Sequence, residues 1–403
     1  MRMITLPLWA ICSCNDQVLA EETNQDQLLE YVDISSVSQE RGIERTESFR
    51  FGDAPSRARR IVREGDVLVS TVRTYLKAIA KVDALHSHCI ASTGFAVLRS
   101  KNNFVDKEFL AWLLKSNDVL KSIIINSKGI SYPAITSSDL MDIRVRIPVS
   151  LGEQKLISDL LNRKIDRLEA IISKLQNTLT QISTYRQSLI TRAVTKGLDG
   201  DHQTSFIPLK YLAKLNPDVE QAMSDEIEYL PMEKVKNGMF LHHSDKLANL
   251  PPSLNSFEDG DILLAKVTPC FENGNICLAE NCKGGVGRCS TELFVLRPNP
   301  QKVMPKFLML LLQTQSFKQE AACQMRGTGG LKRIPADWLC NYKFPIPSLE
   351  KQKQIVEYMA SKHSNLDGLT KKIKDSICLL NDYRSSLISA AVTGQLAIEE
   401  AEE

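Results

Sequence analysis

The sequence predicts an α+β fold built twice: two tandem α+β domains, each followed by one long helix, with the two helices packed as an antiparallel coiled coil. Three observations predict it. Tyr185, Arg186, Leu189, Ile190, Ala193, Val194 and Thr195 recur as Tyr383, Arg384, Leu387, Ile388, Ala391, Val392 and Thr393, 198 residues further on. Apolar residues at alternating steps of four and three precede each copy of that segment, the pattern of a coiled-coil seam. Short β-type runs fill the upstream part of each copy.

The repeat sets the segment boundaries. Its offset of 198 holds at Ser92 and Ser290, Phe109 and Phe307, and Gln154 and Gln352. It becomes 199 at Ile147 and Ile346, 195 at Gly65 and Gly260, and 201 at Leu6 and Ile207. Gaps therefore collect upstream, where loops tolerate insertion, while the downstream part keeps register as a packed helix must. So long a period describes domain-sized units rather than a solenoid, and 403 residues suffice for domains with cores of their own. The segments are a first domain at 1–148, its helix at 149–197, a linker at 198–205, a second domain at 206–347, its helix at 348–395 and an acidic tail at 396–403.

The first domain opens on Leu6, Pro7 and Leu8. The apolar run from Met3 to Cys12 behind Arg2 imitates a secretory signal, but its counterpart at Ile207, Pro208 and Leu209 lies deep in the chain, so it reads as the first element of a domain. Strands are expected at Tyr31 to Ile34, Asp66 to Ser70 and Asp261 to Ala265, the last two entered through turns at Gly65 and Gly260. Strands at Phe95 to Arg99 and Leu293 to Arg297 lead to helices carrying Phe109 to Leu114 and Phe307 to Leu312. The latter apolar run is about a third of a membrane span, and a soluble, cytoplasmic protein with no membrane contact is expected.

In the first long helix the seam runs Leu161, Ile165, Leu168, Ile172, Leu175, Leu179 and Ile182; in the second, Leu366, Ile373, Ile377 and Leu380 continue it, with His363 and Thr370 weakening it. Positions between are mostly charged or amidic, as a solvated face requires. No Pro or Gly interrupts Glu153 to Thr195, and Gly197 stands where a C-cap is expected. Such a helix is on the order of 65 Å long at about 1.5 Å per residue, too long for one small domain to cover, so the two are expected to pack on each other. An eight-residue linker cannot return the chain along that length, which favours antiparallel over parallel packing of the two helices; a zipper between two chains is the bland reading of the seam.

A net charge of +2 excludes a general polyanion binder, so any nucleic-acid surface is local. Arg57, Arg59, Arg60, Arg73 and Lys77 are candidates in the first copy, with Lys266, Arg288, Arg326, Lys332 and Arg333 in the second. The loop Arg326 to Arg333 combines glycines, which let a backbone approach closely, with donors for phosphates or guanine edges. Its equivalent contains Lys128, Gly129 and Tyr132. A solvated face is the bland reading of any one basic cluster; equivalent placement in both copies is what raises these above it.

Catalytic and metal residues are not assigned. Ten cysteines are scattered, and Cys270, Cys277, Cys282 and Cys289 lack the close pairs of a structural zinc site. Reduced, buried thiols are expected instead. His86 and His88 have no counterpart in the second copy and read as surface strand or loop. Asn249 to Ser253 lacks the spacing and the aromatic of an amino-methyltransferase motif, a Walker loop is missing, and Pro217-Asp218 is not followed by the acidic-x-Lys pair of a metal-dependent nuclease.

With these residues in view the chain resembles the specificity subunits of type I restriction-modification systems over nearly its whole length. The resemblance rests on Ile147-Pro148 through Ile157, Ile346-Pro347 through Ile355, and the stretches Leu189 to Thr195 and Leu387 to Thr393. The family usually has two prolines and Glu-Gln before each helix; here Val149 and Ser348 replace the second proline and Lys351 replaces the second Glu. The resemblance implies that each domain is a target-recognition domain reading one half of an asymmetric, bipartite sequence in double-stranded DNA, and that the helices set the unread gap. It implies two methyltransferase subunits supplying S-adenosylmethionine chemistry on adenine and two ATP-driven, Mg-dependent motor-nuclease subunits, with no cofactor and no catalysis in this chain.

Two rivals remain open at this point. A coiled-coil scaffold whose globular ends bind proteins predicts no DNA affinity. An orphan relative would pair with a methyltransferase alone.

Overall fold

The computed structural model describes residues 1–396 except 40, 199–203, 220–224, 237 and 329. Most of the expected linker, nearly all of the acidic tail and Gly329 lie outside the described residues. The described chain forms two compact units: Met1–Leu175 with the chain from Lys374, and Gln176–Ile373.

Both units repeat one topology. In the first, the four-stranded sheet Glu47–Arg50, Leu28–Val32, Ile90–Ser92, Ala58–Ile61 holds a parallel pair at its centre, with Ile90 opposite Tyr31. The second sheet, Cys12–Cys14, Phe95–Ser100, Val67–Ser70, Ile79–Lys81, is antiparallel throughout. The other unit has the same orders, Ser244–Lys246, Glu226–Leu230, Val286–Cys289, Asn255–Glu258 and Ala213–Leu215, Leu293–Pro298, Ile262–Ala265, Ile276–Leu278. The opening segment Met3–Pro7 pairs with Arg144–Pro148, and Ser205–Pro208 with Lys343–Ile346, as the first element of each domain.

The apolar runs are continuous rather than alternating because the second sheet is covered on both faces. Val67, Val69, Ala96 and Leu98 face helices, whereas Leu68, Phe95 and Val97 face the other sheet. The Gly-Asp turns do more than feed a strand. Gly65 and Gly260 adopt φ of +88° and +93°, and the buried Asp66 and Asp261 behind them each accept two hydrogen bonds from an arginine on the neighbouring strand, Arg99 at 2.8 and 2.7 Å and Arg297 at 2.9 and 2.8 Å.

The long helices span Leu151–Lys196 and Leu349–Val392, and each contributes to both units. Gly197 ends the first with φ +71° and Gly394 follows the second with φ +75°, the left-handed conformation that favours glycine after a helix. In the first unit Ile157, Leu161, Ile165 and Leu168 share a core with Leu387, Ile388, Ala391 and Val392, and Arg384 lies 3.9 Å from Glu169. In the second, Arg186 pairs with Asp367, while Ile190 and Val194, further along the first helix, share a core with Met359 and Ile355, earlier on the second. The helices therefore run antiparallel within each unit, as expected. Ile172, Ile182 and Ile373 are buried and Leu175, Leu179, Leu366, Ile377 and Leu380 half-buried.

A buried glutamine at the start of each helix fixes it to its domain. Gln154 Oε1 accepts Asp106 N–H at 2.8 Å while its Nε2 donates to Phe104 O and Pro148 O at 3.1 and 2.8 Å. Gln352 repeats this with Met304 N–H at 2.8 Å and Lys302 O and Pro347 O at 3.0 Å.

Candidate nucleic-acid interface

At one edge of each domain three loops are tied together by the same main-chain hydrogen bonds. In the first, Thr71 N–H donates to Gly94 O at 2.9 Å and Ile135 N–H to Thr71 O at 2.9 Å, while Lys128 and Ala134 exchange bonds of 2.8 and 2.9 Å. In the second, Lys266 N–H donates to Glu292 O at 3.1 Å, Ile334 N–H to Lys266 O at 2.9 Å, and Arg326 and Arg333 exchange bonds of 2.9 and 2.8 Å. Isolated bridges Val72↔Ala134 and Val267↔Arg333 complete the correspondence. Close turns require the glycines: a Cβ on Gly129 (φ +111°) would stand 3.2 Å from Tyr132 O, and one on Gly327 (φ +143°) 2.3 Å from Leu331 O.

On this shared frame the side chains differ. In the first domain the Arg73 guanidinium lies over the Tyr132 ring, 4.9 Å from its centroid. Arg73 and Lys77 flank the turn Thr74–Leu76 with φ of +50° and +52°, left-handed backbone that costs a non-glycine residue about 1–3 kcal/mol and persists only when its surroundings hold it. Thr74 Oγ1 and Ser127 Oγ hydrogen bond at 2.7 Å across the loops. Tyr75, Leu76 and Ile130 are exposed beside them, Ile130 at 102%. Lys128 is exposed and lies 3.8 Å from Asp139.

In the second domain the place of Arg73 is taken by Thr268, whose hydroxyl donates to Gly330 O at 2.7 Å and accepts Lys332 N–H at 3.0 Å. Glu292 stands where the first domain has Gly94, and it accepts two bonds from Arg333, from Nε at 2.9 Å and Nη2 at 2.8 Å. Those bonds hold the Glu292 carboxyl below the usual carboxylate range. Lys266 Nζ lies 5.4 Å from the Phe294 ring centroid. Arg326, Lys332 and the apolar Leu331 are exposed at the tip.

The structure thus gathers Arg73, Lys77, Lys128 and Tyr132 on one frame and Lys266, Arg326, Lys332 and Arg333 on the other. Arg57 adjoins the first, since its carbonyl accepts Thr93 N–H at 2.8 Å. Arg59 and Arg60 lie elsewhere, on the strand Ala58–Ile61. Arg59 stacks over Phe51 at 4.8 Å, and Arg60 Nε is buried without a hydrogen-bond partner among the described residues. Arg288, on the strand Val286–Cys289, donates to Leu254 O at 2.9 Å. Glu292 and the apolar tips Ile130 and Leu331 are not basic and do not stand out in the sequence as part of a basic cluster. The repeat offset of 198, which sets Glu292 against Gly94, was the signal for the first of these.

Cys277, Cys282 and Cys289 lie in an apolar cluster, where burial pushes the Cys277 thiol up to about 12. No group of three potential metal ligands occurs among the described residues. His86, in a turn, bonds Asp83 at 2.7 Å. No described helix is long and apolar enough to cross a membrane.

Comparison with known proteins matches residues 52–181 and 253–378 to the type I restriction modification DNA specificity domain. The chain is 30% identical over 201 residues to the type I restriction enzyme EcoEI specificity subunit of Escherichia coli, covering 49% of this chain and 34% of that one. It is 29% identical over 198 residues to the EcoAI specificity subunit of the same organism, covering 48% and 34%. The chain thus spans about a third of the length of these relatives. A solved chain from a study of complex assembly and conformational transition of the type I R-M system shares the fold, with TM-score 0.76 and 21% identity over 98% of both chains.

Proposed function

The chain belongs to the type I restriction modification DNA specificity family, and from that membership we propose that it is the sequence-reading subunit of a restriction-modification complex. Each domain reads one half of a bipartite, asymmetric duplex target. The single observation that carries this is the duplicated three-loop frame with unlike faces: Arg73 on Tyr132 in one domain, Glu292 clamped to Arg333 in the other. A frame kept at main-chain level with its side chains exchanged suits two readers of different sequence.

Exposed lysines such as Lys128 and Lys332 suit phosphate contacts, which position a protein on the duplex, while side chains held in fixed geometry suit base edges. A net charge of only +2 means that a duplex-binding surface has to be local, as these loops are. The chain supplies sequence choice alone. Two methyltransferase subunits bring S-adenosylmethionine chemistry to adenine, and two motor-nuclease subunits bring ATP and Mg, the cofactors being held by those partners. Family membership weighs against the protein-binding scaffold. A complex with methyltransferase alone is the second reading, and the absence of a motor-nuclease subunit from the purified complex would favour it.

The test is adenine methylation mapped on genomic DNA from cells expressing this chain with its cognate methyltransferase subunit, against cells expressing the methyltransferase alone. New methylation at one split, asymmetric motif is expected. A complex that forms yet adds no motif would overturn the reading.

A further inference from the structure

The two domains present their arginines in opposite states. In the second, Arg333 is held by two hydrogen bonds to Glu292. In the first, Arg73 has an aromatic ring beneath it and no carboxylate ion pair among the described residues, whereas Arg99, Arg297 and Arg333 each have one. We infer that Arg73 reads a guanine in the half-site of the first domain, with Tyr132 as the residue that positions it. This rests on the function proposed above.

Three features favour a base edge over a phosphate. A phosphate contact needs charge and reach, which a flexible lysine supplies. Arg73 instead sits on left-handed backbone at φ +50°, strain that is maintained by its neighbours. Ser70 Oγ donates to Val72 O at 2.7 Å, Thr74 Oγ1 bonds Ser127 Oγ at 2.7 Å, and Val72 bridges Ala134. The side chain therefore leaves from a fixed point. Second, the guanidinium lies over the Tyr132 ring, 4.9 Å from its centroid, a cation–π contact that steadies the planar group without using its N–H donors. That fork matches O6 and N7 of guanine in the major groove, the commonest specific contact between arginine and DNA. Third, the exposed Lys128 on the same frame suits a backbone contact and leaves Arg73 the reading role.

The second domain lacks the device. Thr268 occupies the place of Arg73 with its hydroxyl engaged within the loops, and Leu331 stands two residues before Arg333 as Tyr132 stands two before Ala134. The guanine assigned to Arg73 is thus a property of one half of the target only.

Methylation mapping with the full chain and its methyltransferase partner tests this, using Arg73→Ala, Arg73→Lys and Tyr132→Leu. The wild type is expected to demand guanine at one position of one half. Both Arg73 variants should accept other bases there, losing about 5- to 150-fold in discrimination, with the other half unchanged. Arg73→Lys keeps the charge but not the planar fork, so its failure to rescue separates base reading from charge. Tyr132→Leu should weaken the same position by a smaller factor. An unchanged motif in Arg73→Ala, or an equal loss on every sequence with full rescue by lysine, would overturn the inference. If the Arg73 variants abolish methylation, competition binding with duplexes substituted position by position decides: a guanine preference kept by Arg73→Ala refutes it, and one lost supports it. A wild type without any motif would sink the underlying function, and this inference with it.

Discussion

Gln154 Oε1 accepts the backbone N–H of Asp106 at 2.8 Å, and the same amide donates to two carbonyls, at Phe104 and Pro148. One fully buried side chain thereby joins the long helix, the helix Lys107–Leu114 and the strand Arg144–Pro148. Gln154→Ala leaves one donor and two acceptors in the interior without partners. A buried polar group left unpaired costs about 1–3 kcal/mol, so a loss of roughly 2–4 kcal/mol is expected on denaturant unfolding. Hydrogen exchange should show lost protection at Asp106, and Gln352→Ala should do the same at Met304. An effect under about 0.5 kcal/mol, the range of an ordinary surface change, would remove the staple from the account.

Glu292 neutralises Arg333 on the proposed DNA face. Glu292→Gln removes the negative charge and weakens the hold on the guanidinium. Sequence-independent duplex affinity should rise, and the slope of log affinity against log salt should steepen by about one counterion. Titrations at several salt concentrations check this; an unchanged slope would mean that the pair stands away from the duplex.

His363 interrupts the apolar seam, and its buried Nε2 has no hydrogen-bond partner among the described residues. Burial first, and Arg186 next, lower its pKa from the ordinary 6.5. Between the folded and unfolded values the unfolded chain binds more protons, so stability is full above pH 6.5 and falls as pH drops below it. His363→Leu should abolish that component of the slope and stabilise the protein by about 1 kcal/mol, by replacing an unsatisfied polar atom with an apolar side chain. Unfolding at pH 7.5 and 5.5 in both proteins checks the sign.

Thiol accessibility tests the fold. Cys323 and Cys378 are exposed, whereas Cys12, Cys89, Cys277, Cys282 and Cys289 are buried. Burial pushes the Cys12 thiol up to about 12 and that of Cys89 up to about 11. A thiolate-directed reagent at pH 8 should label Cys323 and Cys378 first in the native protein and reach the buried five only on unfolding. Early labelling of Cys277 would contradict the packing between the two sheets.

The duplication, the α+β class and the antiparallel seam were legible because they are written in periodic or repeated residues: Leu161 to Ile182 on one helix, and Phe109 with Phe307 at one offset. The staple was visible only as a repeated Gln154 and Gln352, since two of the three partners in each copy are backbone groups some fifty residues away in the chain. The candidate interface was legible in part. Loops 128–134 and 326–333 stand out by glycine and charge, but their union with Thr71 and Lys266 depends on hydrogen bonds of long sequence separation. Composition could not tell that Arg59 stacks on Phe51 while Arg73 stacks on Tyr132. Both read as basic residues in one stretch until the chain is folded.

The central claim is that one frame, used twice, reads two different sequences. Selection of bound duplexes from a randomised pool by the full chain, assembled with its methyltransferase partner, tests it most directly. Two unlike half-sites separated by an unread gap are predicted. Enrichment of a single contiguous site, of two identical half-sites, or of no sequence at all would contradict it.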